Sequence, residues 1–417
     1  MANTLKFGAG KWATGNGTAL AYNDENNNFK PLPFTFTRDS KATVVNQSGL
    51  LEEVSVGDPR IDFLGNTEGA MLLEPTRSNN IIYSQDFSNS FWGKYNTTVT
   101  SGFLAPDGTN NAYEVLTTAS GTSAYDVAVY QAISGQSTSA KTNSFFVKPN
   151  GQRWVYLIPP NGGSNVVFFD LQNGVIGTEK GISKGKIETY PNGWYRLSLA
   201  EDTNINYCYF GVGFCDGDDS FTYTQSSNSI FLFGGQYELG TYSTSYIKTE
   251  GGAVTRIGET CGQQFPISIP TSGTIYVEVE LFNSVLDTAS TANRYGLNFQ
   301  GSSNDWIFIG IESGDNLRTY IRANGSTSFD NTLNGVFTTA GVYKIAMRFA
   351  PNDTTVFVNG IIKSSSSNTI IPTNLNQINV SGGALGGSVP SNPNKNRDFR
   401  LYNTGLSNSE LQALTQV

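Results

Sequence analysis

The chain contains no histidine. That absence removes Ser-His-Asp and Cys-His catalysis, His-ligated zinc and histidine-based pH switching together. Cysteine is scarce, with three in 417 residues. Cys208 and Cys215 on one extended strand would stand ~23 Å apart, beyond disulfide reach unless the "FGVGF" between them folds back. Free, mostly buried thiols and synthesis in a reducing cytoplasm are therefore expected. Charge is sparse at 14%, and the net charge is -8. No cluster of Lys and Arg could face a phosphate backbone, so no nucleic-acid partner is expected. No run of ~18 apolar residues occurs, so no membrane insertion is expected. The opening "MANTLKFGAGKW" lacks an apolar leader core, which argues against Sec export.

What the chain has is turn-rich and aromatic. Aromatics make up 12%, with 20 Tyr and 26 Phe, and there are 45 Gly. This favours β-sandwiches over helical bundles. The expected fold class is all-β: an extended N-terminal arm followed by two β-sandwich, jelly-roll-type domains. Residues 1–80 carry an Asn-rich loop, "YNDENNNFKPLPF", and strands too brief to close a core alone, such as "ATVV" and "LLEEV". Such a segment leans on a partner chain or the next domain. Residues 81–256 read as many short strands, among them "RWVYLIP", "NVVFFDL", "GWYRLSLA" and "NYCYFGVGF". Their regular spacing predicts a jelly roll. Residues 257–417 read as a second sandwich. In "TIYVEVELF", Ile275, Val277, Val279 and Leu281 alternate with Glu278 and Glu280. "TVFVNGIIKS" turns at Asn359-Gly360, a strong hairpin signal. One helix is expected, in "SNSELQALT", capped by Ser407 or Asn408 with Glu410 in its first turn.

Motifs for catalysis fail on context. "GISKG" matches G-x-S-x-G, but Ser183 lies in a β-rich turn without a histidine base. "GAGK" lacks the other residues of a P-loop. A glycosidase needs two carboxylates facing each other ~5–10 Å apart, and no such pair is legible in this sequence. The expectation is a non-enzyme. "CDGDDS" places Asp216, Asp218 and Asp219 on one short turn. Calcium, a hard cation that takes oxygen ligands, is one occupant of such a turn, and a water-screened acidic surface is the other reading. Aromatics are the stronger lead. Trp154, Tyr156, Tyr207 and Tyr209 lie on two predicted strands, and members two apart share a face. If those strands are neighbours, four rings form a platform on which sugar C–H faces stack. The competing reading of each ring is core.

Two longer stretches carry a resemblance. "FTRDSKATVVNQSGLLEEV", "PRIDF" and "GAMLLEPTRSNNIIYSQDFSNSFW" resemble a segment of tailed-bacteriophage structural proteins, matching at Arg38, Pro59, Arg60, Leu72, Leu73, Glu74, Arg77, Tyr83 and Ser84. Ser78 departs from the usual Thr. "QYELGTYSTSYIKTEGGAVTR", Gln236 to Arg256, is similar to the end of the same module. The two bracket a region like the jelly rolls of carbohydrate-binding modules, and "PNGWYRLSL" fits its late strand. The C-terminal part resembles a concanavalin or laminin-G sandwich through "VFVNG" and "DFRLYNTGLSNSELQAL".

The resemblance implies a head or tail fibre or appendage subunit on the virion surface, made in the bacterial host cytoplasm. It implies an arm docked on capsid or tail proteins, a homotrimer, and sandwiches presented to host or environmental glycans. A virion polysaccharide depolymerase and a purely structural spacer or capsid decoration are the alternatives.

Overall fold

The computed structural model describes residues 4–8, 13–15, 18–20, 22–23, 34–134, 140–158, 165–181, 183–201, 207–264, 269–281, 295–312, 316–380 and 394–417. Among the described residues the chain is all-β apart from one 3₁₀ turn, Pro191–Gly193, and one C-terminal helix, and it forms two compact units. One comprises residues 1–47, 53–76 and 257–417; the other comprises 48–52 and 77–256.

The first unit packs a nine-stranded sheet on a seven-stranded one. Alternation does what it promised. Ile275, Val277 and Val279 enter a core shared with Ile345, Phe399, Leu297, Ile309 and Ile321, whereas Glu278 and Glu280 stay partly exposed. Burying each such side chain contributes roughly 1.5–3 kcal/mol. The helix, Asn408–Thr415, starts at a capping box between Ser407 and Glu410. Its Leu411 packs with Tyr276, Ala346 and Phe357 on the outer face of the nine-stranded sheet.

The described N-terminal strands pair with the C-terminal part of the chain rather than standing apart. Thr35–Thr37 pairs with Thr260–Gln264 in the seven-stranded sheet, and Ala70–Leu73 pairs with Asn394–Tyr402 in the nine-stranded one. All four residues of Ala70–Leu73 are buried. The strands are indeed too short to close a core, but the C-terminal sandwich of the same chain completes them. The expected boundary at residue 80 therefore moves to residue 76, inside the resembling stretch.

That stretch is a device for joining distant chain. Its Arg38, Arg60 and Glu74 form a buried ion set with Glu259 in the first unit. Glu259 is buried, and its Oε1 accepts from Arg38 Nη1 at 2.9 Å and Arg60 Nε at 2.7 Å. Its Oε2 accepts from Arg60 Nη2 at 2.5 Å and from the Glu74 amide at 2.8 Å. Glu74 meets Arg60 Nη1 at 2.8 Å. Beside them, Asp62 meets Lys395 at 2.6 Å; burial pushes its carboxyl above the usual range, and Lys395 opposes that shift.

The second unit is a sandwich of two six-stranded antiparallel sheets around its own core. Here the two resembling stretches meet. Arg77–Asn79 pairs with Val254–Arg256. Asn79 is fully buried and makes four hydrogen bonds: it donates to the carbonyls of Gly235 and Ile247, and accepts from the amides of Ile81 and Tyr237. Gln236 accepts from the Ile247 amide at 2.6 Å, and Arg77 donates to the Tyr242 hydroxyl at 2.8 Å. The motif residues are thus packing and pairing residues.

Lys94 ends this segment with a compact arrangement. Its ammonium lies 3.0–3.3 Å from the carbonyls of Phe87, Ser88, Asn89 and Trp92, and burial lowers its pKa. Removing the charge leaves those carbonyls facing one another, at about 1–3 kcal/mol for each that water does not reach. Lys94→Met should therefore raise hydrogen-exchange rates across residues 86–92 and lower the melting temperature. Unchanged exchange there would show that the loop holds itself.

Candidate functional site

One sheet of the second unit runs in the order Gly93–Tyr95, Ala128–Ser134, Tyr207–Cys215, Trp154–Ile158, Val167–Asp170, Val175–Glu179. Its inner face sends Val129, Phe210, Val212, Phe214, Val155 and Leu157 into the core. Period two then fixes the outer face: Tyr95, Tyr130, Tyr209, Trp154 and Tyr156, with glycines at 93, 211 and 213.

The glycines make room for rings to lie flat. Tyr130 is opposite Gly93 on one side and Gly211 on the other. A Cβ at Gly93 would stand 2.8 Å from the Tyr95 ring. Tyr95 folds back there and stacks on Tyr130, centroids 5.0 Å apart and planes within 4°. Tyr130 meets Tyr209 edge-on at 5.3 Å, and Tyr125 touches both, at 5.5 Å and 5.3 Å. Tyr95 is 49% exposed, and Tyr125, Tyr130 and Tyr209 are half-buried.

Tyr125 is held in an uncommon conformation. It has φ 76°, which a bulky residue adopts at a cost of order 1–3 kcal/mol. Asp126 fixes the turn by accepting from the amides of Thr122 and Ser123, and the Tyr125 amide donates to the Tyr156 hydroxyl at 3.3 Å. The Tyr125 hydroxyl is buried and has no hydrogen-bond partner among the described residues. Burial, then the neighbouring Tyr209 and Glu201, push its phenol up to about 12. Burial and the Tyr95 hydroxyl also raise Tyr130. Every phenol with a resolved shift here stays protonated at neutral pH and can donate.

The sequence-predicted platform is only partly assembled. Trp154–Ile158 and Tyr207–Cys215 are neighbours, but the register separates their rings. Trp154 faces Cys215, and Tyr156 faces Gly213. Tyr209 lies six residues from Cys215, roughly 20 Å along the strand. Trp154 is half-buried, set against Gly177 and beneath the Arg153 guanidinium at 5.5 Å. Tyr156 is 1% exposed. Its ring covers Gly213 and packs on Phe168 and Phe221, so it presents no face to a ligand. The side chains of Tyr207 and Cys208 lie outside the described residues. Tyr209 is the predicted ring that joins a cluster, and its partners Tyr95, Tyr125 and Tyr130 were not singled out. The signal was present in the strand-interior glycines, which mark close approach of another group.

The acidic turn is corrected too. Asp216 accepts from the amide and hydroxyl of Thr224, at 2.9 Å and 2.8 Å. Asp218 takes the amide and hydroxyl of Thr178, at 2.7 Å and 3.0 Å, and Asp219 pairs with Lys180. The three carboxylates turn to separate partners instead of one centre. No cluster of three Asp, Glu, Cys or His side chains placed to hold a metal occurs among the described residues.

No protein-family model matches the sequence, and no curated protein does. Several solved structures align over about a third of the chain. The carbohydrate-binding module CBM40 of a Ruminococcus gnavus IT-sialidase is 17% identical, covers 35% of this chain and 83% of its own, and gives a TM-score of 0.27. The binding domain of botulinum neurotoxin serotype D is 14% identical over 37% of this chain and 40% of its own, at 0.31. A heptameric SAP-like pentraxin from Limulus polyphemus is 12% identical over 36% and 73%, at 0.27. These likenesses are too distant to assign a family.

Proposed function

We propose that this protein is a glycan-binding adhesion subunit whose ligand stacks on the cluster of Tyr95, Tyr125, Tyr130 and Tyr209. The cluster itself carries the reading. Four tyrosines touch on the outer face of the sheet, where Tyr125, Tyr130 and Tyr209 rest on a small buried cluster around Tyr156 and Phe168 and Tyr95 is exposed. A sugar ring offers apolar C–H faces to such planes and hydroxyls to their phenols. Tyr125 adds a strained backbone, at φ 76°, of the kind that clusters at ligand sites.

We place this activity on a tailed-phage virion, as a fibre or appendage subunit made in the host cytoplasm and displayed on the particle surface. The resemblance of Phe36 to Trp92 and of Gln236 to Arg256 to a segment of tailed-phage structural proteins supports that setting. The subunit is non-enzymatic in this reading, assembles as a homotrimer and contacts other virion proteins. A monomer by light scattering would remove the trimer from it.

Binding to bacterial cells and to their purified surface polysaccharide tests the proposal. The wild type should bind both. The Tyr130→Ala/Tyr209→Ala double variant should bind at least tenfold more weakly, about 1.4 kcal/mol, while still melting cooperatively. Equal binding by the double variant would remove the cluster as the site, and shortening of the polysaccharide would favour a depolymerase.

A further inference from the structure

The second unit contains a second recess, made by three separate parts of the chain: the turn around Tyr83 to Asp86, the hairpin of Thr97–Phe103 with Ala112–Thr117, and the stretch from Lys248 to Glu250. Its volume is about 480 Å³, in the range of small-ligand sites. None of the four clustered tyrosines lines it.

Its walls are set in place before any ligand arrives. The Thr249 amide donates to Ser84 Oγ at 2.8 Å, and the Ser84 amide donates to Thr249 Oγ1 at 3.1 Å. Asp86 Oδ1 accepts from the Tyr113 hydroxyl at 2.9 Å and from the Ser88 amide at 3.1 Å. The Ser88 hydroxyl first, then those donors, hold its carboxyl below the usual range. The Lys94 ammonium gathers the carbonyls of the following loop. Tyr83 has φ 54°, and its ring lies 5.8 Å from Phe91 and against Gly251. Gly102, at the register shift of the hairpin, has φ 108° and open space where a Cβ would stand. The bulge thus widens the recess.

At this fixed frame the adjacent amides of Asn110 and Asn111 are exposed and have no protein partner among the described residues. Each amide carries both donors and an acceptor, the pattern that neighbouring sugar hydroxyls satisfy. Tyr83 supplies an aromatic surface beside them. The charges exclude one class of sugar. Asp86 and Glu250 outnumber Lys248, whose ammonium is already paired with Glu250. An acidic sugar would meet net negative charge and find no free cation.

We propose that this recess is a second carbohydrate site that takes a single neutral pyranose. The proposal does not rest on the tyrosine cluster, so either site can fail without the other. Saturation-transfer NMR on the full chain carrying Tyr130→Ala/Tyr209→Ala, which removes the other proposed sugar surface, provides the test. The probes are the methyl glycosides of glucose, galactose, mannose and N-acetylglucosamine, with sialyllactose as the acidic comparison. At least one neutral glycoside should show transfer, and sialyllactose should show none at this recess. Ser101→Trp, which plugs the recess, should abolish the signal, and Asn110→Ala/Asn111→Ala should weaken it at least tenfold. Both substitutions are made in the Tyr130→Ala/Tyr209→Ala chain, whose own signal then comes from the recess. The Asn pair is exposed, so its variant decides the matter if the Trp variant misfolds. In that chain, absence of transfer from every neutral glycoside, or survival of the signal in the Asn variant, would each overturn the proposal.

Discussion

Glu259→Ala should destabilise the first unit by roughly 3–5 kcal/mol, the cost of removing one partner from a buried ion set. Glu259 is fully buried and takes three hydrogen bonds from Arg38 and Arg60 and one from the Glu74 amide. Without it, Arg60 keeps Glu74, whereas the buried Arg38 guanidinium loses this carboxylate partner. The set also links parts of the sequence about 200 residues apart, so its loss loosens residues 34–76 from the C-terminal strands. Native-state hydrogen exchange reads this directly. Amides of Gly273–Leu281 should exchange faster by orders of magnitude, while those of Trp154–Ile158 in the second unit serve as the internal reference. A loss below about 1 kcal/mol is what solvated surface pairs give, and would show that water reaches the set.

Tyr156→Ala should be nearly as costly, at about 3–5 kcal/mol for a large buried ring. Its ring fills the space above Gly213, where a Cβ would come within 2.1 Å of it, and touches Phe168 and Phe221. Removing the ring opens a cavity on the outer face and also takes away the acceptor that fixes the Tyr125 amide. Sugar binding should fall along with stability. Tyr156→Phe keeps the ring and loses only the hydroxyl, so it should cost about 1 kcal/mol. Denaturant unfolding of the two variants separates ring from hydroxyl. Equal, small losses would mean that Tyr156 is solvated, and the platform first expected from the sequence would return.

The sequence made the strands legible because the alternation is local. Ile275, Val277 and Val279 show their face within a few residues, and Ser407 with Glu410 marks the helix start by adjacency. The pairings of Thr35–Thr37 with Thr260–Gln264 and of Ala70–Leu73 with Asn394–Tyr402 were not legible, because they span more than 200 residues and no local rule names them. The same limit shaped the site. Trp154 and Tyr156 share a face, as period two requires, yet the register with Tyr207–Cys215 decides which ring a neighbour covers. Gly93, Gly211 and Gly213 were the readable trace of that packing. In "CDGDDS", proximity along the chain suggested a shared ion, but Thr178, Thr224 and Lys180 draw the three carboxylates apart.

The central claim is that sugars stack on the tyrosine cluster, and a glycan array probed with wild type, Tyr209→Phe and Tyr209→Ala tests it most directly. Wild type should bind a defined set of glycans. Tyr209→Phe keeps the ring and should bind the same set. Tyr209→Ala should lose about tenfold in affinity, some 1.4 kcal/mol, with its fold intact. An array with no wild-type binding, or the same glycans held equally by Tyr209→Ala, would contradict the account.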